Sequence, residues 1–203
     1  DGRALQAGTS HDLGQNFGKA FDVKFQNKEG VTEFVWQTSW GVSTRLIGAL
    51  IMTHSDDAGL VLPPKLAPIH CAIVPIYKTD EERERTLAAA DKLAAELRAT
   101  NYAGAPIAVE VDRRDGMSPG AKYFHWERRG VPFRIEIGPK DLEKNSAALK
   151  RRDGGAKQFV PMAEVASSMP ARLQEFQDAL LQKALTMRQE RSVNVETWAE
   201  LEA

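Results

Sequence analysis

The sequence has almost no cysteine: Cys71 is the only one among 203 residues. No disulfide can close within the chain, and no cysteine-based zinc site can be built from it. A reducing, cytoplasmic setting fits that poverty. Long hydrophobic runs are missing as well. No stretch of about 18 apolar residues offers a membrane span, so no membrane partner is expected. No basic segment leads into an apolar one, so no secretory signal is visible. Nor is one sign of charge in excess, since 27 Lys and Arg face 28 Asp and Glu, a net −1. Any surface for nucleic acid must therefore be a local patch. No internal repeat and no low-complexity tract occurs. His54 with Asp56 and Asp57 has no second His at ligand spacing, so the segment reads as a turn and no metal site is expected. What remains is an ordinary composition, 42% hydrophobic and 27% charged. Its length suits one large domain, or a small domain joined to part of another.

Residues 1–17 are rich in Gly, Ser, Thr and Gln and show no opening element. They read as the middle of a structure rather than its natural start. Residues 34–39 read as a strand, and the apolar run Val42–Thr53 as a buried helix with Arg45 near its start. Asp56-Asp57-Ala58-Gly59 is a turn. Leu62-Pro63-Pro64 is stiff and extended, because proline fixes φ and turns its predecessor away from helix. The domain boundary is placed there, dividing 1–66 from 67–203.

The second part alternates. Ile69–Tyr77 is a short apolar strand, with His70 and Cys71 in the core. Thr79 and Glu82 fit a capping box ahead of the stripe Leu87, Ala90, Ala94 and Leu97. The Glu81–Arg85 run is an exposed face with i,i+4 pairs. Ile107, Val109 and Val111 alternate as a strand. Asp112-Arg113-Arg114-Asp115-Gly116 is a charged turn. Ser118-Pro119 opens a helix and Gly130 stops it. Val131, Phe133, Ile135 and Ile137 form one face of a strand, with Arg134 and Glu136 on the other. Residues 147–151 and 157–161 flank Asp153-Gly154 as a hairpin. Leu173, Phe176, Leu180, Ala184 and Met187 stripe a long final helix, and Met162 and Met169 read as packing. The order β-α-β-α-β-β-β-α predicts an α/β domain, a mixed sheet flanked by helices.

Three constellations have the chemistry of a site. Gln6-Ala7-Gly8-Thr9-Ser10-His11 gathers small polar side chains beside one His. It is either a pocket wall approached closely by a ligand or a hydrogen-bonded surface turn. Thr38-Ser39-Trp40-Gly41-Val42-Ser43-Thr44-Arg45 leads into the apolar helix. An Arg in the first turn of a buried helix needs an anion. A phosphate at the helix N-terminus and an internal carboxylate both answer that need. The third is locally basic, from Lys122, His125, Trp126, Glu127 and Arg128 through Arg134, Lys140, Asp141, Lys144, Lys150, Arg151, Arg152 and Lys157. It is either a solvated charged face or a surface for splayed single-stranded bases.

Gly41 to Arg45 with Leu60-Val61-Leu62-Pro63-Pro64 resembles motif 3 of a class II aminoacyl-tRNA synthetase. Gln6-Ala-Gly-Thr-Ser-His11, Leu13-Gly-Gln-Asn-Phe17, Thr38-Ser-Trp-Gly41 and Leu62-Pro-Pro64 together are similar to the prolyl-tRNA synthetases, in their archaeal/eukaryotic-type branch. The likeness continues through Gly130-Val-Pro-Phe-Arg134, Glu136-Ile-Gly-Pro-Lys-Asp141 and Glu143-Lys-Asn145, nearly the whole chain. The resemblance implies the last part of a class II antiparallel catalytic sheet, followed by an α/β anticodon-binding domain. It implies that the parent protein activates proline with ATP and Mg²⁺, passes the prolyl group to tRNA(Pro), and is a homodimer. By position, Gln6, Thr9, Ser43 and Arg45 would serve ATP. His11, Ser39 and Trp40 would hold proline, and Arg45 and His11 would be the catalytic pair. Glu127, Arg134, Lys140, Asp141 and Lys157 would meet the anticodon. Carboxylates accepting from guanine N–H groups suit proline anticodons, which carry two guanines.

The sequence also departs from that pattern. Motifs 1 and 2 are missing, with the dimer-interface proline and the Arg that grips the α-phosphate. The zinc-binding C-terminal extension is missing too. The chain is therefore expected to be a fragment, inactive alone in proline-dependent ATP–pyrophosphate exchange. The competing reading is a non-catalytic tRNA-binding module derived from a synthetase. Gln6, Thr9, His11 and Arg45 argue against it, since a pure binding module has no need of them.

Overall fold

The structure, a computed structural model, describes residues 4–202. Two compact units divide the chain, Asp1–Met52 and Thr53–Ala203. The domain limits placed at residues 1 and 203 lie outside the described residues. The division falls earlier than 66/67 because residues 56–62 bond to the second unit: Leu60 N donates to Arg128 O at 3.1 Å and Leu62 N to Gly130 O at 3.4 Å. No described helix is long and apolar enough to cross a membrane.

In the first unit, β1 (Thr9–Gly14), α1 (Asn16–Ala20), β2 (Lys24–Gln26), β3 (Thr32–Phe34) and β4 (Gln37–Gly41) precede α2 (Arg45–His54), which runs across the division. β1 pairs antiparallel with β4, and β2 with β3. Within the polar segment with no expected element, Thr9–Gly14 is thus a strand. The strand expected over 34–39 is the junction of two, because the chain changes partner there, from β2 to β1. The helix expected over 42–53 forms, yet none of its residues is buried. An apolar stripe shows that a face is suited to burial, not what covers it.

The second unit keeps the predicted order and adds a small hairpin and two short helices. β5 (Cys71–Pro75), α3 (Asp80–Arg98), the small hairpin β6 (Asn101–Tyr102) and β7 (Ala105–Pro106), β8 (Val109–Val111), α4 (Pro119–Arg128) and β9 (Phe133–Ile137) come first. The short α5 (Pro139–Glu143), β10 (Ser146–Arg151), β11 (Gln158–Pro161), α6 (Met162–Glu190) and α7 (Trp198–Glu202) complete it. The sheet runs β11-β10-β9-β5-β8, parallel among β8, β5 and β9 and antiparallel beyond. Every residue of β5 is buried, as a central parallel strand requires.

On one face Leu93 and Leu97 of α3 meet Ile73, Ile135 and Leu149, with Leu173 and Phe176 of α6. On the other, Trp126 of α4 and Val131 cover Ala72 and Val74. Thr79 caps α3 by accepting from Glu82 N at 3.2 Å, and Ser118 caps α4 by accepting from Ala121 N at 3.3 Å. Met169 is in the core as expected, and α6 passes Pro170 without ending. His70 accepts from Ala108 N at Nδ1, 2.9 Å away. It therefore donates from Nε2 to Pro64 O, at 3.1 Å. Burial lowers the pKa of this ring and raises that of the Cys71 thiol.

Several charged groups read as surface are interior. Lys122 and Arg152 are buried. Arg152 grips Asp56 with both nitrogens, at 2.8 and 2.6 Å, and donates to Glu127 O at 2.8 Å. Arg83 reaches Asp115 at 3.1 Å, and the expected Glu81–Arg85 pair is not among the ion pairs of the described residues. Asp112 is not part of a solvated turn: it is 2% exposed, accepting from Trp126 Nε1 at 2.8 Å and Arg114 Nε at 2.9 Å.

Burial alone would raise the Asp112 pKa, but the hydrogen bonds from Arg114 and Trp126 outweigh it and hold it at about 2. That lies below the unfolded value of about 3.9. Its contribution of roughly 2–3 kcal/mol is therefore complete above the unfolded value and lost as pH falls through the folded one. Asp112→Asn should lower the urea midpoint at pH 7. The gap to the parent chain should close progressively below pH 4. A gap that stays constant with pH would show that the carboxylate charge is irrelevant.

Candidate functional site

Two groups of side chains have the makings of a site, one in each unit. In the first, strand pairing brings the two polar signature segments together. Thr9 lies opposite Gly41, Ser10 opposite Trp40 and His11 opposite Ser39. Directly opposed residues share a face, and His11 Nδ1 lies 3.3 Å from Ser39 Oγ. Trp40, 79% exposed, falls on the other face with Ser10. Of the three residues expected to hold proline, His11 and Ser39 thus share one strand face and Trp40 lies on the other.

Arg45 opens α2, and its N–H donates to Ser43 Oγ at 3.3 Å. Its guanidinium reaches Gln6 Oε1 at 2.7 Å. An amide leaves the positive charge uncompensated, and no ion pair among the described residues involves Arg45. Among the described residues, no carboxylate answers the charge of Arg45. Gln6, Thr9, Gly41, Ser43 and Arg45 line one open cavity of about 210 Å³. Gly8 lies at its wall, where a Cβ would come 3.1 Å from Gly41 O. The cavity offers a cation, amide and hydroxyl groups and the N-terminal end of a helix, a set that complements phosphate.

In the second unit the focus is Glu136, a carboxylate only 3% exposed on β9. Tyr123 OH donates to it at 2.9 Å, Arg134 Nε at 3.1 Å and Lys157 Nζ at 2.5 Å. The Arg134 guanidinium also lies over the Tyr123 ring, 4.1 Å from its centroid. Burial, and then the Glu136 carboxylate, push the Tyr123 phenol pKa up, so the hydroxyl stays a donor. Glu127 and Arg134 line one surface depression together with Lys150. Asp141 caps α5, Oδ2 accepting from Gly138 N at 2.9 Å, while Lys140 is exposed on that helix. No group of three or more His, Cys, Asp or Glu among the described residues could hold a metal ion.

Residues 70–172 match the family described as anticodon binding domain. The chain belongs to the anticodon-binding domain family. It is 52% identical to a proline–tRNA ligase of Chloroflexus aurantiacus, over 99% of this chain and 41% of the relative. To the proline–tRNA ligase of Christiangramia forsetii it is 54% identical, over 98% of this chain and 39% of the relative. A solved prolyl-tRNA synthetase of Cryptosporidium parvum, complexed with L-proline and AMP, superposes with a TM-score of 0.88 at 43% identity, covering 98% of this chain and 40% of that one. The chain thus spans about two fifths of the length of the curated relatives it matches.

Within the anticodon-binding domain, the sequence reading did not foresee that Glu136 and Tyr123 join Arg134 and Lys157 in one cluster. A signal for Glu136 was present. A carboxylate at i+2 from an Arg on one strand face must share that face with it. Tyr123 gave none, since its role depends on how α4 crosses β9.

Proposed function

We propose that the chain is the part of a proline–tRNA ligase that completes its ATP and proline pocket and reads the anticodon of tRNA(Pro). The whole enzyme would join proline to ATP, with Mg²⁺ held on the ATP phosphates, and pass the prolyl group to the tRNA as a cytoplasmic homodimer. The observation that carries the reading is the meeting of Gln6 and Arg45 across 39 residues of sequence. A domain that only bound RNA would not need a guanidinium held by an amide at the mouth of a polar cavity.

The chemistry follows from that arrangement. Attack of the proline carboxylate on the α-phosphorus, which breaks its bond to the bridging oxygen and releases pyrophosphate, builds negative charge, and a fixed cation nearby lowers the barrier. Gln6 orients the Arg45 fork without neutralising it. The planar guanidinium can also lie flat against adenine, which an ammonium cannot do as well. His11 and Ser39, on one strand face, would hold the amino acid. In the second unit Arg134, Lys140 and Lys157 would meet phosphates or guanine acceptors, and Glu127 and Asp141 guanine donors.

The test of anticodon reading is Asp141→Asn, which keeps an oxygen for the Gly138 N–H but replaces one acceptor by a donor. Affinity for a proline anticodon stem-loop should fall by about 1–3 kcal/mol. Discrimination against a guanine replacement in the loop should relax. Equal loss for every loop sequence would remove Asp141 from base reading.

A further inference from the structure

The Glu136 cluster lies on a sheet face where Glu136 and Ala148 are buried and Phe159 is exposed. α4 packs over β5 through Ala72 and Val74. Beyond β9, the same face continues onto β10 and β11. Cross-strand register fixes what is there: Glu136 is opposite Ala148, and Ala148 is opposite Phe159. Glu136, Ala148 and Phe159 therefore form one row on one face. Val160, the next residue, turns into the core on the other. Phe159 is 68% exposed, its ring at the end of this row. Two strand spacings, about 10 Å, separate its backbone from that of Glu136. Phe124 of α4 is exposed as well. Helical spacing puts it on the flank that carries Glu127, three residues on.

A phenyl ring left in water beside a knot of Arg, Lys, Tyr and Glu has no role in the core. The surroundings select its partner. Lys157 immediately precedes β11, two residues before Phe159, and Lys150 shares the strand face of Ala148; the ring's neighbour in register is only a methyl group, so an apolar protein surface would have to desolvate ammonium groups to reach it. A nucleotide brings phosphates for the lysines and a π-face for the ring. We propose that Phe159 is a stacking platform for an unpaired base of the RNA loop met by the Arg134–Glu136 cluster. It adds affinity without selecting the base, because every base has a π-face. The proposal rests on the anticodon reading above and adds a contact to it.

The experiment uses the full chain and proline anticodon stem-loops carrying 2-aminopurine at successive loop positions. Stacking quenches the fluorescence of that base. Phe159→Leu keeps an apolar side chain but removes the ring, and its exposed position leaves folding unaffected. Phe159→Trp keeps a ring. The parent chain should quench one loop position, Phe159→Trp should do the same, and Phe159→Leu should not. Phe159→Leu should also weaken binding roughly 5- to 100-fold, equally for different loop bases. Arg134→Ala should instead change the ranking between loop sequences. If Arg134→Ala weakens binding while Phe159→Leu binds and quenches like the parent, the platform is wrong and the anticodon reading stands. If the parent chain binds no stem-loop, both fall. Self-association of the chain that Phe159→Leu abolishes, with RNA affinity unchanged, would assign the ring to a protein contact and overturn the proposal.

Discussion

Arg45→Ala in a full-length ligase carrying this chain is expected to slow proline-dependent ATP–pyrophosphate exchange by about 100- to 1000-fold. The size follows from the surroundings of the guanidinium. Its partner is the neutral Gln6 amide, at 2.7 Å, so its full charge faces the cavity. Removing one preorganised group aimed at developing charge forfeits stabilisation that water does not replace. Arg45→Lys should recover only part of the rate, because an ammonium keeps the charge but not the planar fork. Gln6→Ala should fall between, since it frees the guanidinium without removing it. Affinity for the anticodon stem-loop should be unchanged in all three, because that surface belongs to the other unit. A loss of both activities together would mean misfolding. An exchange rate within a few-fold of the parent would mean that Arg45 does not act on the phosphates.

The second unit was largely legible because its signals are local. Thr79 with Glu82, Ser118 with Pro119, and the alternation of Phe133, Ile135 and Ile137 each specify an element within a few residues. The short α5 escaped, although Gly138-Pro139 with Asp141 at the third helical position is a start signal in miniature. What could not be read was every feature made by elements far apart in sequence. Asp112 looked like part of a solvated charge run until Trp126 closed over it. Lys122 and Arg152 counted towards a basic surface, yet both are used inside the fold. The first unit was harder. β1 carries no apolar alternation and exists because β4 supplies its hydrogen bonds, and that pairing separates Ser39 from Trp40. At the candidate sites, residue type was legible and orientation was not.

The largest stability loss is expected from Gly130→Ala. Gly130 has φ of +72°, a left-handed conformation that costs an L-residue about 1–2 kcal/mol. A methyl group there would also lie 2.7 Å from Leu60 Cβ and 2.8 Å from Leu60 C and O. The segment around Leu60 has little freedom to yield. Its N–H bonds to Arg128 O, and Gly59 is equally close, a Cβ there coming 2.6 Å from Arg128 Cα. Just upstream, Asp56 is held by the buried Arg152, which also donates to Glu127 O. Backbone thus crosses backbone at the end of α4 with glycine on both sides, and the crossing positions the helix turn that bears Glu127. The total cost of Gly130→Ala is expected to be about 3 kcal/mol or more, strain and overpacking combined. Gly116→Ala is the control, because Gly116 has φ of +75° with nothing within 4 Å of its added methyl. It should lose only the conformational part. Urea unfolding of both variants separates the terms. Equal losses would mean that Leu60 moves aside freely and that the crossing holds nothing in place.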